Sequence, residues 1–235
     1  MALFDLVKKM PLYAGKTRDA DRLNNRHKLI IDPFKWDLRG ARILDLASHD
    51  GRWPYAFAKA GAREVIGIEG RPELIADFQN YPKDEAHARI NLIQGDINTE
   101  VARMVDAGER FDVVGVLGIF YHITTHYQLL SEIRALQPKL ILIDSEFMNS
   151  QDTIIRLINE DSRKHMNSLP AYDGQDMVVK GVPSRGAMEM MAESLGYKVE
   201  WLDWEKLPKK DRVGVADYYR PGPKTRATCA LRPVA

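Results

Sequence analysis

Residues 42-RILDLASHDGRWPYAFA-58 are the segment of this chain that is most informative about its fold. Its first six residues are mostly apolar, as in a buried parallel strand, and a helical pattern follows the turn. That turn stands where a dinucleotide-binding strand–turn–helix unit carries a glycine-rich loop, but it reads 47-ASHD-50 before a single Gly51. A pyrophosphate needs several free backbone N–H groups, and therefore more glycine. The turn thus predicts an adenosine-type ligand that lacks a pyrophosphate.

Short apolar runs alternate with helical patterns from about residue 40 onward. The predicted strands are 42–47, 64–69, 90–95, 111–118 and 139–144. The predicted helices between and after them are 52–62, 71–81, 98–108 and 124–137. The strand patterns are apolar on both faces, as in parallel strands that helices cover on both sides. Such alternation predicts an α/β fold with a doubly wound sheet.

The end of the chain departs from this alternation. A helix predicted over 183–196 begins with a Pro-Ser pair and ends at Gly196. Two strand patterns follow, 197–204 and 224–232, and no helical pattern separates them. We expect these two strands to form an antiparallel hairpin on the sheet edge.

Two segments lie outside the predicted sheet. Residues 1–39 form an N-terminal helical cap segment with a helix over 19–31, and residues 40–235 form the main domain. Residues 145–181 are inserted after the fifth strand, on the side where open α/β sheets bind ligands, so we expect a lid over the substrate. Apolar residues at helical spacing predict a helix over 151–166, which could also pack on the domain edge without touching a ligand.

The composition is that of a globular protein with nearly balanced charge. Of 235 residues, 45% are hydrophobic and 29% charged, and the formal net charge is +1. No global positive field argues for nucleic acid, which makes RNA a less favoured partner than a small molecule. Arg18, Arg22, Asn25 and Arg26 in the cap segment could close over the site. Arg156 and Arg163 in the insertion could pair with an acidic substrate group.

Several other properties are disfavoured by the sequence. The single cysteine, Cys229, excludes an internal disulfide and is expected to be a packed thiol. We see neither a signal peptide nor an apolar run of transmembrane length, and we expect a cytoplasmic protein without a membrane partner. Asp144 and Glu146 could bind a divalent ion, but no third ligand is placed beside them, so no metal site is predicted. The N-terminal helix or the insertion could pair two protomers in a homodimer.

Acidic residues stand near the ends of the first three predicted strands. They are Asp45, Glu69 and Asp96. At its position Glu69 can accept two hydrogen bonds from a ribose diol. Asp96 can accept a hydrogen bond from an exocyclic amine while the backbone of Ile97 reads the ring edge. Simpler roles are also open: Asp45 could cap a turn, Glu69 could pair with Arg71, and Asp96 could cap the next helix.

The order of these elements resembles the class I S-adenosylmethionine (SAM)-dependent methyltransferases. The matching span is about 40–144, and the C-terminal hairpin extends it to about 232. The loop of that family, D/E-x-G-x-G-x-G, corresponds to 45-DLASHDG-51, in which only the last glycine is retained. The resemblance implies a Rossmann-like, doubly wound, mostly parallel sheet of seven strands with an antiparallel C-terminal strand. It also implies SAM as the cofactor, with S-adenosylhomocysteine (SAH) as its product.

The same resemblance implies which residues bind the cofactor. They are Asp45, Ala47, Ser48, His49, Gly51, Glu69, Gly70, Arg71, Asp96, Ile97, Leu117 and Gly118. The first five would approach the methionine end of SAM, and Glu69 with its two neighbours would hold the ribose. Asp96 and Ile97 would address adenine, and the backbone at Leu117 would contact the amino-acid moiety.

The segment 117-LGIFYHI-123 borders the transferring methyl group in methyltransferases of this kind. Tyr121 and His122 in that segment, and His165 in the insertion, are therefore candidate catalytic residues. Either histidine could act as a general base, because histidine titrates near neutral pH. His122 could instead be a packed residue that shapes the pocket, and His126 is expected on the surface or at a helix end.

Methyl transfer to an O or N atom of a small-molecule acceptor is the function expected from these features. The 48-SHDG-51 loop, the YHI segment and 182–197 also resemble the enzyme that carboxymethylates the wobble uridine of tRNA. An RNA-modifying transferase is therefore the alternative. The altered loop also leaves a non-catalytic SAM-binding protein open, whereas the missing GxGxxG pattern disfavours an NAD-dependent enzyme.

Overall fold

Within the described residues, 2–164 and 167–234, the computed structural model contains nine strands and seven α-helices. The strands are β1 (Arg42–Leu46), β2 (Glu64–Glu69), β3 (Ile90–Gln94), β4 (Val113–Leu117), β5 (Leu140–Met148), β6 (Ile155–Asp161), β7 (Met177–Pro183), β8 (Tyr197–Trp201) and β9 (Lys224–Pro233). The α-helices are α1 (Thr17–Ile30), α2 (Lys35–Leu38), α3 (Arg52–Lys59), α4 (Pro72–Asp77), α5 (Ile97–Asp106), α6 (His126–Ala135) and α7 (Arg185–Ser194). Short 3-10 helices fill several connections, the longest of them at Leu3–Lys9.

Seven of the strands form one sheet in the order β3-β2-β1-β4-β5-β9-β8. Strands β1 to β5 pair in parallel, and β9 pairs antiparallel with both β5 and β8. The doubly wound, mostly parallel, seven-stranded sheet with an antiparallel C-terminal strand is confirmed. The hairpin expected from 197–204 and 224–232 is also present, with β8 as the edge strand.

Each face of the sheet carries its own layer of buried side chains. One layer joins the cap segment and α3 to the sheet through residues such as Leu23, Trp53 and Phe57. The other layer joins α5, α6 and α7 to the opposite face through residues such as Val101, Leu129 and Met188. Burial on both faces is why the central strands read as continuous apolar runs in the sequence.

The N-terminal cap segment is built into the first of these layers. Phe4 and Val7 are fully buried, and the Phe4 ring packs edge-on against Trp53 with centroids 5.6 Å apart. The Asn24 side chain of α1 accepts a hydrogen bond from the backbone N–H of Phe4 at 2.8 Å. The cap therefore shares the core of the domain at the end of the sheet where β1 and β4 terminate.

The helix predicted over 151–166 is wrong, because the inserted segment is a β-hairpin. Strand β6 pairs antiparallel with β7, so that Leu157 lies opposite Gly181 and Glu160 opposite Val178. Apolar residues at 154, 155, 157 and 158 satisfy helical spacing and a twisted strand equally well. Pairing with a strand more than a dozen residues further along the chain decides between the two.

Two smaller expectations concern Cys229 and the membrane. Cys229 is a fully buried free thiol on β9, and burial raises its pKa, as expected for a packed residue. None of the helices formed by the described residues has the length and apolar character needed to cross a bilayer.

Candidate functional site

A cleft of about 570 Å³ opens at the carboxyl ends of the parallel strands. The chain leaves β1 toward β2 on one side and reaches β4 on the other, so the cleft lies at the topological switch point, where such sheets bind ligands. Eleven of the predicted site residues line it: Ala47, His49, Glu69, Gly70, Arg71, Asp96, Ile97, Leu117, Gly118, Tyr121 and His122. Asp45, Ser48 and Gly51 lie behind its wall, and His165 falls outside the described residues.

The loop after β1 keeps a glycine-type backbone without the glycines. Ala47, His49 and Gly51 occupy the alternate positions of the loop, and all three have positive φ, at 58°, 56° and 81°. For an alanine or histidine this left-handed conformation costs about 1 kcal/mol or more. At Gly51, an added Cβ would also lie 2.4 Å from the Phe78 ring, so both conformation and packing require glycine there.

A buried network around Asp50 holds this strained loop. The Asp50 carboxylate accepts hydrogen bonds from Tyr13 and Tyr81 at 2.7 and 3.1 Å and from Arg52 Nε at 2.6 Å. Burial raises the pKa of Asp50, but the Arg52 guanidinium and the hydrogen bonds outweigh it and hold that pKa well below its usual range. His49 lies in the same network, where burial and the nearby Arg52 lower its pKa. No local pattern in the sequence points to Asp50, because its partners come from distant segments.

Glu69 presents a carboxylate to the cleft at the end of β2. Its two oxygens accept hydrogen bonds from the backbone N–H groups of His49 and Arg71, at 2.9 and 3.0 Å. Each carboxylate oxygen can accept a second bond. Both oxygens are therefore fixed in place and still able to accept from a pair of hydroxyl groups. The contact with the Arg71 guanidinium is longer, at 3.9 Å, so the expected pairing with Arg71 is mainly through the backbone.

Asp45 sits beneath the loop on β1 and is completely buried. Neither of its side-chain oxygens has a hydrogen-bond partner among the described residues. Burial, followed by the negative charge of Glu69, raises its pKa well above the usual value, and the positive charge of Arg26 opposes this shift. Asp45 therefore caps neither a turn nor a helix, which leaves the simpler role considered for it without support.

Asp96 caps the helix that follows it and also borders the cleft. Its Oδ1 atom accepts hydrogen bonds from the backbone N–H groups of Asn98 and Thr99, both at 3.0 Å, and caps α5. The residue is nevertheless exposed and borders the cleft together with Ile97. Capping by one oxygen orients the carboxylate beside the end of β3.

His122 forms a pair with a glutamate that the sequence did not reveal. Its Nδ1 lies 2.7 Å from Glu160 Oε1, and both side chains are almost completely buried. Glu160 also pairs with Lys180 at 2.7 Å and accepts hydrogen bonds from the backbone and hydroxyl of Ser168. Burial raises the pKa of Glu160, but the bonds from His122, Lys180 and Ser168 outweigh it and hold the pKa well below its usual range. The sequence does not single out Glu160, because it predicts a helix over 151–166.

The neighbouring aromatic and histidine residues complete this wall. The Tyr121 ring packs against His122 with centroids 4.0 Å apart, and cationic groups of Lys180 and Arg226 lie 5.2 and 5.6 Å from its centre. His126 is buried, with Nε2 3.0 Å from the carbonyl oxygen of Gly181, so the expected surface position is wrong. That contact fastens the hairpin to the start of α6.

The inserted hairpin borders the cleft from above. Arg71 donates to the carbonyl of Asn167 at 2.6 Å, and Ser168 donates to the carbonyl of His122 at 2.8 Å. Leu169 packs over Gly70, where an added Cβ would lie 2.5 Å from its Cδ1. The segment thus touches the strand ends at β2 and at β4.

Asp144, considered as a metal ligand, is instead enclosed by basic and hydroxyl groups. Oδ1 accepts from Arg26 at 2.8 Å and from Arg226 at 2.6 Å, and Oδ2 accepts from Tyr218 and Thr228. Burial raises its pKa, but the two arginines outweigh burial and lower the pKa to about 2. Among the described residues no group of three His, Cys, Asp or Glu side chains is arranged to hold a metal ion.

The strand order and the cleft at its switch point define the class I SAM-dependent methyltransferase fold. Residues 43–139, which include the loop, Glu69, Asp96 and His122, match the protein family described as "Methyltransferase domain". The match covers less than half of the chain and lies within the predicted domain of residues 40–235.

An N-methyltransferase verN from Clonostachys rogersoniana is 23% identical over 91% of this chain and 87% of its own length, whereas two other curated relatives match only parts of the chain. A ubiquinone biosynthesis O-methyltransferase from Azorhizobium caulinodans is 36% identical over 37% of this chain and 32% of its own length. A tRNA U34 carboxymethyltransferase from Campylobacter hominis is 24% identical over 53% of this chain and 42% of its own. This chain therefore spans well under half the length of either protein.

Among solved structures, the fold is similar to the N-terminal domain of EvdMO1 with SAH bound. The two chains are 19% identical, with a TM-score of 0.65 over 86% of this chain and 79% of that chain. At this level of identity the likeness concerns the fold.

Proposed function

We propose that this protein is an enzyme that transfers the methyl group of SAM to an O or N atom of a small-molecule acceptor, with His122 as general base. The observation that carries the proposal is the His122–Glu160 pair, because His122 lines the same cleft as the carboxylate of Glu69, which can accept hydrogen bonds from hydroxyl groups. Glu69 can accept hydrogen bonds from a ribose, and His122 can remove a proton from an incoming nucleophile.

The residues of the cleft fit an adenosine-type cofactor. The volume of about 570 Å³ lies within the range of small-molecule sites. The Glu69 oxygens are oriented by two backbone N–H groups, and the positive φ angles of Ala47 and His49 bring the loop backbone close to the cleft. Glu69 with Arg71 would hold the ribose, Asp96 and Ile97 the adenine, and the backbone of Leu117 the amino-acid moiety.

When SAM is bound, it supplies an electrophilic methyl carbon on a cationic sulfur and leaves as SAH. The chain contributes position and proton handling. Glu160 accepts the Nδ1 proton of His122 and so fixes the tautomer in which Nε2 is the free base. His122 Nε2 then takes the proton from the acceptor hydroxyl or amine as that atom attacks. Alignment of the acceptor and exclusion of water by the inserted hairpin supply most of the remaining rate.

The alternative acceptor is RNA, and the tRNA-modifying relative motivates it. The basic residues of 206–232 would have to form the binding face. That segment contains eight Lys and Arg residues. Five of them are held in ion pairs, namely Arg212, Arg220, Lys224, Arg226 and Arg232. The field left to attract a phosphate backbone is therefore weak, which favours the small molecule. A SAM-binding protein without activity is the further alternative, and the His122–Glu160 pair argues against it.

A methyl-transfer assay tests the proposal. Radiolabelled SAM is incubated with the protein and a panel of phenols, amines and hydroxy acids, and in parallel with bulk tRNA. We expect transfer to a small molecule, reduced about 100-fold or more in kcat by His122→Ala. In the Glu160→Gln variant we expect a smaller loss and a shifted pH–rate profile, because the base is no longer oriented. Both variants should bind SAH as the native protein does.

His87 provides the matched control, because it lies away from the cleft beside Lys83 and Phe78. His87→Gln should leave transfer unchanged. Labelling of tRNA alone would contradict the small-molecule acceptor, and full activity in His122→Ala would contradict the base.

A further inference from the structure

Two guanidinium groups share a single carboxylate at one end of the cleft. Arg26 of α1 and Arg226 of β9 both donate to the same oxygen of Asp144, at 2.8 and 2.6 Å. The other oxygen is occupied by the hydroxyls of Tyr218 and Thr228, at 2.6 and 2.7 Å. The two arginines are 6% and 7% exposed and Asp144 is fully buried. One of the two positive charges is therefore without a matching negative charge in a site largely removed from water.

The other arginines that line the cleft each have a carboxylate of their own. Arg22 pairs with Asp217, Arg52 with Asp50 and Arg71 with Glu69. The surplus charge is consequently confined to Arg26 and Arg226. The Nε of Arg26 is buried and has no hydrogen-bond partner in the part of the chain that the structure describes. A buried charge without a counter-charge is unfavourable, and an anionic ligand would offset that penalty.

Two further acids, Asp45 and Asp96, do not pair with these arginines. Asp45 lies behind the cleft wall and makes no ion pair with Arg26 among the described residues, and burial raises its pKa well above the usual value although the Arg26 charge opposes that shift. Asp96 follows β3, five strands away from β9 in the sheet, which is on the order of 24 Å at the usual strand spacing.

The position of the surplus charge points to the acceptor rather than to the cofactor. Glu69 follows β2, whereas Arg226 lies on β9. In the sheet, β9 is two strands past β4, which puts it about 10 Å from β4 at the usual strand spacing. The Arg226 guanidinium lies 5.6 Å from the centre of the Tyr121 ring, beside His122. Arg226 thus stands beside the wall that carries the candidate base, with a guanidinium nitrogen 3.4 Å from the position of an added Cβ at Gly118, and is four strands along the sheet from the ribose-binding residue.

We propose that Arg26 and Arg226 form an anion subsite that binds a carboxylate of the methyl acceptor. A planar guanidinium matches a carboxylate in paired hydrogen bonds, and the low exposure of the site strengthens them. The substrate class is then small acids that carry a hydroxyl or amino group within reach of His122. This inference rests on the proposed methyl transfer and deepens it by naming the acceptor class.

Calorimetry on the SAH-saturated protein tests the subsite with matched probes. Hydroxybenzoate and aminobenzoate isomers and short aliphatic hydroxy acids are each compared with the corresponding amide, which has the same shape and no charge. We expect the acids to bind at least about tenfold more tightly than the amides, with the preference lost in Arg226→Gln. Arg103→Gln, at an exposed position of α5 away from the cleft, should keep the preference. No preference for the acid in any pair overturns the subsite.

If Arg226→Gln does not fold, the comparison of acids with amides on the wild-type protein still tests whether the cleft prefers an anion. A second arm separates the acceptor from the cofactor, whose amino-acid moiety also carries a carboxylate. SAH and its decarboxylated analogue are titrated into the wild type and the variant. Loss of SAH affinity in the variant, with the analogue unaffected, assigns the arginines to the cofactor and overturns the proposal. If SAH does not bind the wild type at all, the proposed function fails instead.

Discussion

Single residues in the loop after β1 show how a glycine pattern can be lost while its backbone is kept. The retained glycine and the alternate spacing were visible in the sequence, and they led to a ligand without a pyrophosphate. The positive φ of Ala47 and His49 was not predictable, because L-residues rarely adopt it. The Asp50 network that stabilises it joins Tyr13, Arg52 and Tyr81, which only the fold brings together.

This geometry predicts opposite effects for two exchanges of glycine and alanine. Gly51→Ala places a Cβ at positive φ and against Phe78, and should destabilise the protein by about 2 kcal/mol or more. Ala47→Gly, the matched change, relieves a strained φ of 58° and should leave stability unchanged or slightly higher. Chemical denaturation measures both. A stable Gly51→Ala protein, or an Ala47→Gly protein that is equally destabilised, would refute the assigned loop conformation.

The hairpin of β6 and β7 is the element whose secondary structure was predicted least well from the sequence. Its apolar spacing fitted a helix, and the pairing that makes it a strand is a tertiary contact. The error also concealed Glu160, because a helix would have pointed that side chain elsewhere. The position of the insertion beside the cleft was nonetheless predictable, because it follows β5 at the ligand-binding edge.

Two hydrogen bonds tie this segment to opposite sides of the cleft, and both should slow ligand release. Arg71→Ala removes the bond to the Asn167 carbonyl, and Ser168→Ala removes the bond to the His122 carbonyl. Either change weakens the attachment of the segment over the cleft, and we expect SAH to dissociate up to about tenfold faster. Stopped-flow displacement of SAH measures the rate. Arg156→Ala, on the same hairpin and exposed, is the control. An effect of Arg71→Ala alone would mean that Arg71 acts on the cofactor and that the segment is no lid.

Across the whole molecule, the sheet order and its two helical layers followed from the alternation of strand and helix patterns. The sequence does not predict the buried hydrogen bonds and ion pairs around Asp144, here called the Asp144 joint. This residue links β5 to α1, to β9 and to Tyr218, which lie far apart along the chain. Such a joint depends on which termini meet across the sheet, and no local pattern encodes that.

The joint predicts how stability depends on pH. The pKa of Asp144 is lowered from 3.8 to about 2, so its contribution is complete above pH 4 and is lost as the pH falls through 2. By linkage the loss amounts to about 2 kcal/mol. Denaturation at several pH values between 7 and 2 should show a flatter dependence in Asp144→Asn than in the wild type. Asp106→Asn, an exposed change on α5, should keep the wild-type slope; equal slopes in all three proteins would disprove the role of Asp144.

The most direct measurement is a calorimetric titration of the purified protein with SAH and, separately, with NAD. We expect SAH to bind at micromolar concentration and NAD not to bind. Glu69→Gln should weaken SAH binding and Glu69→Ala should abolish it, while Glu73→Ala, an exposed change on α4, leaves it intact. Binding of NAD, or SAH binding that survives Glu69→Ala, would contradict the assignment of this cleft to SAM.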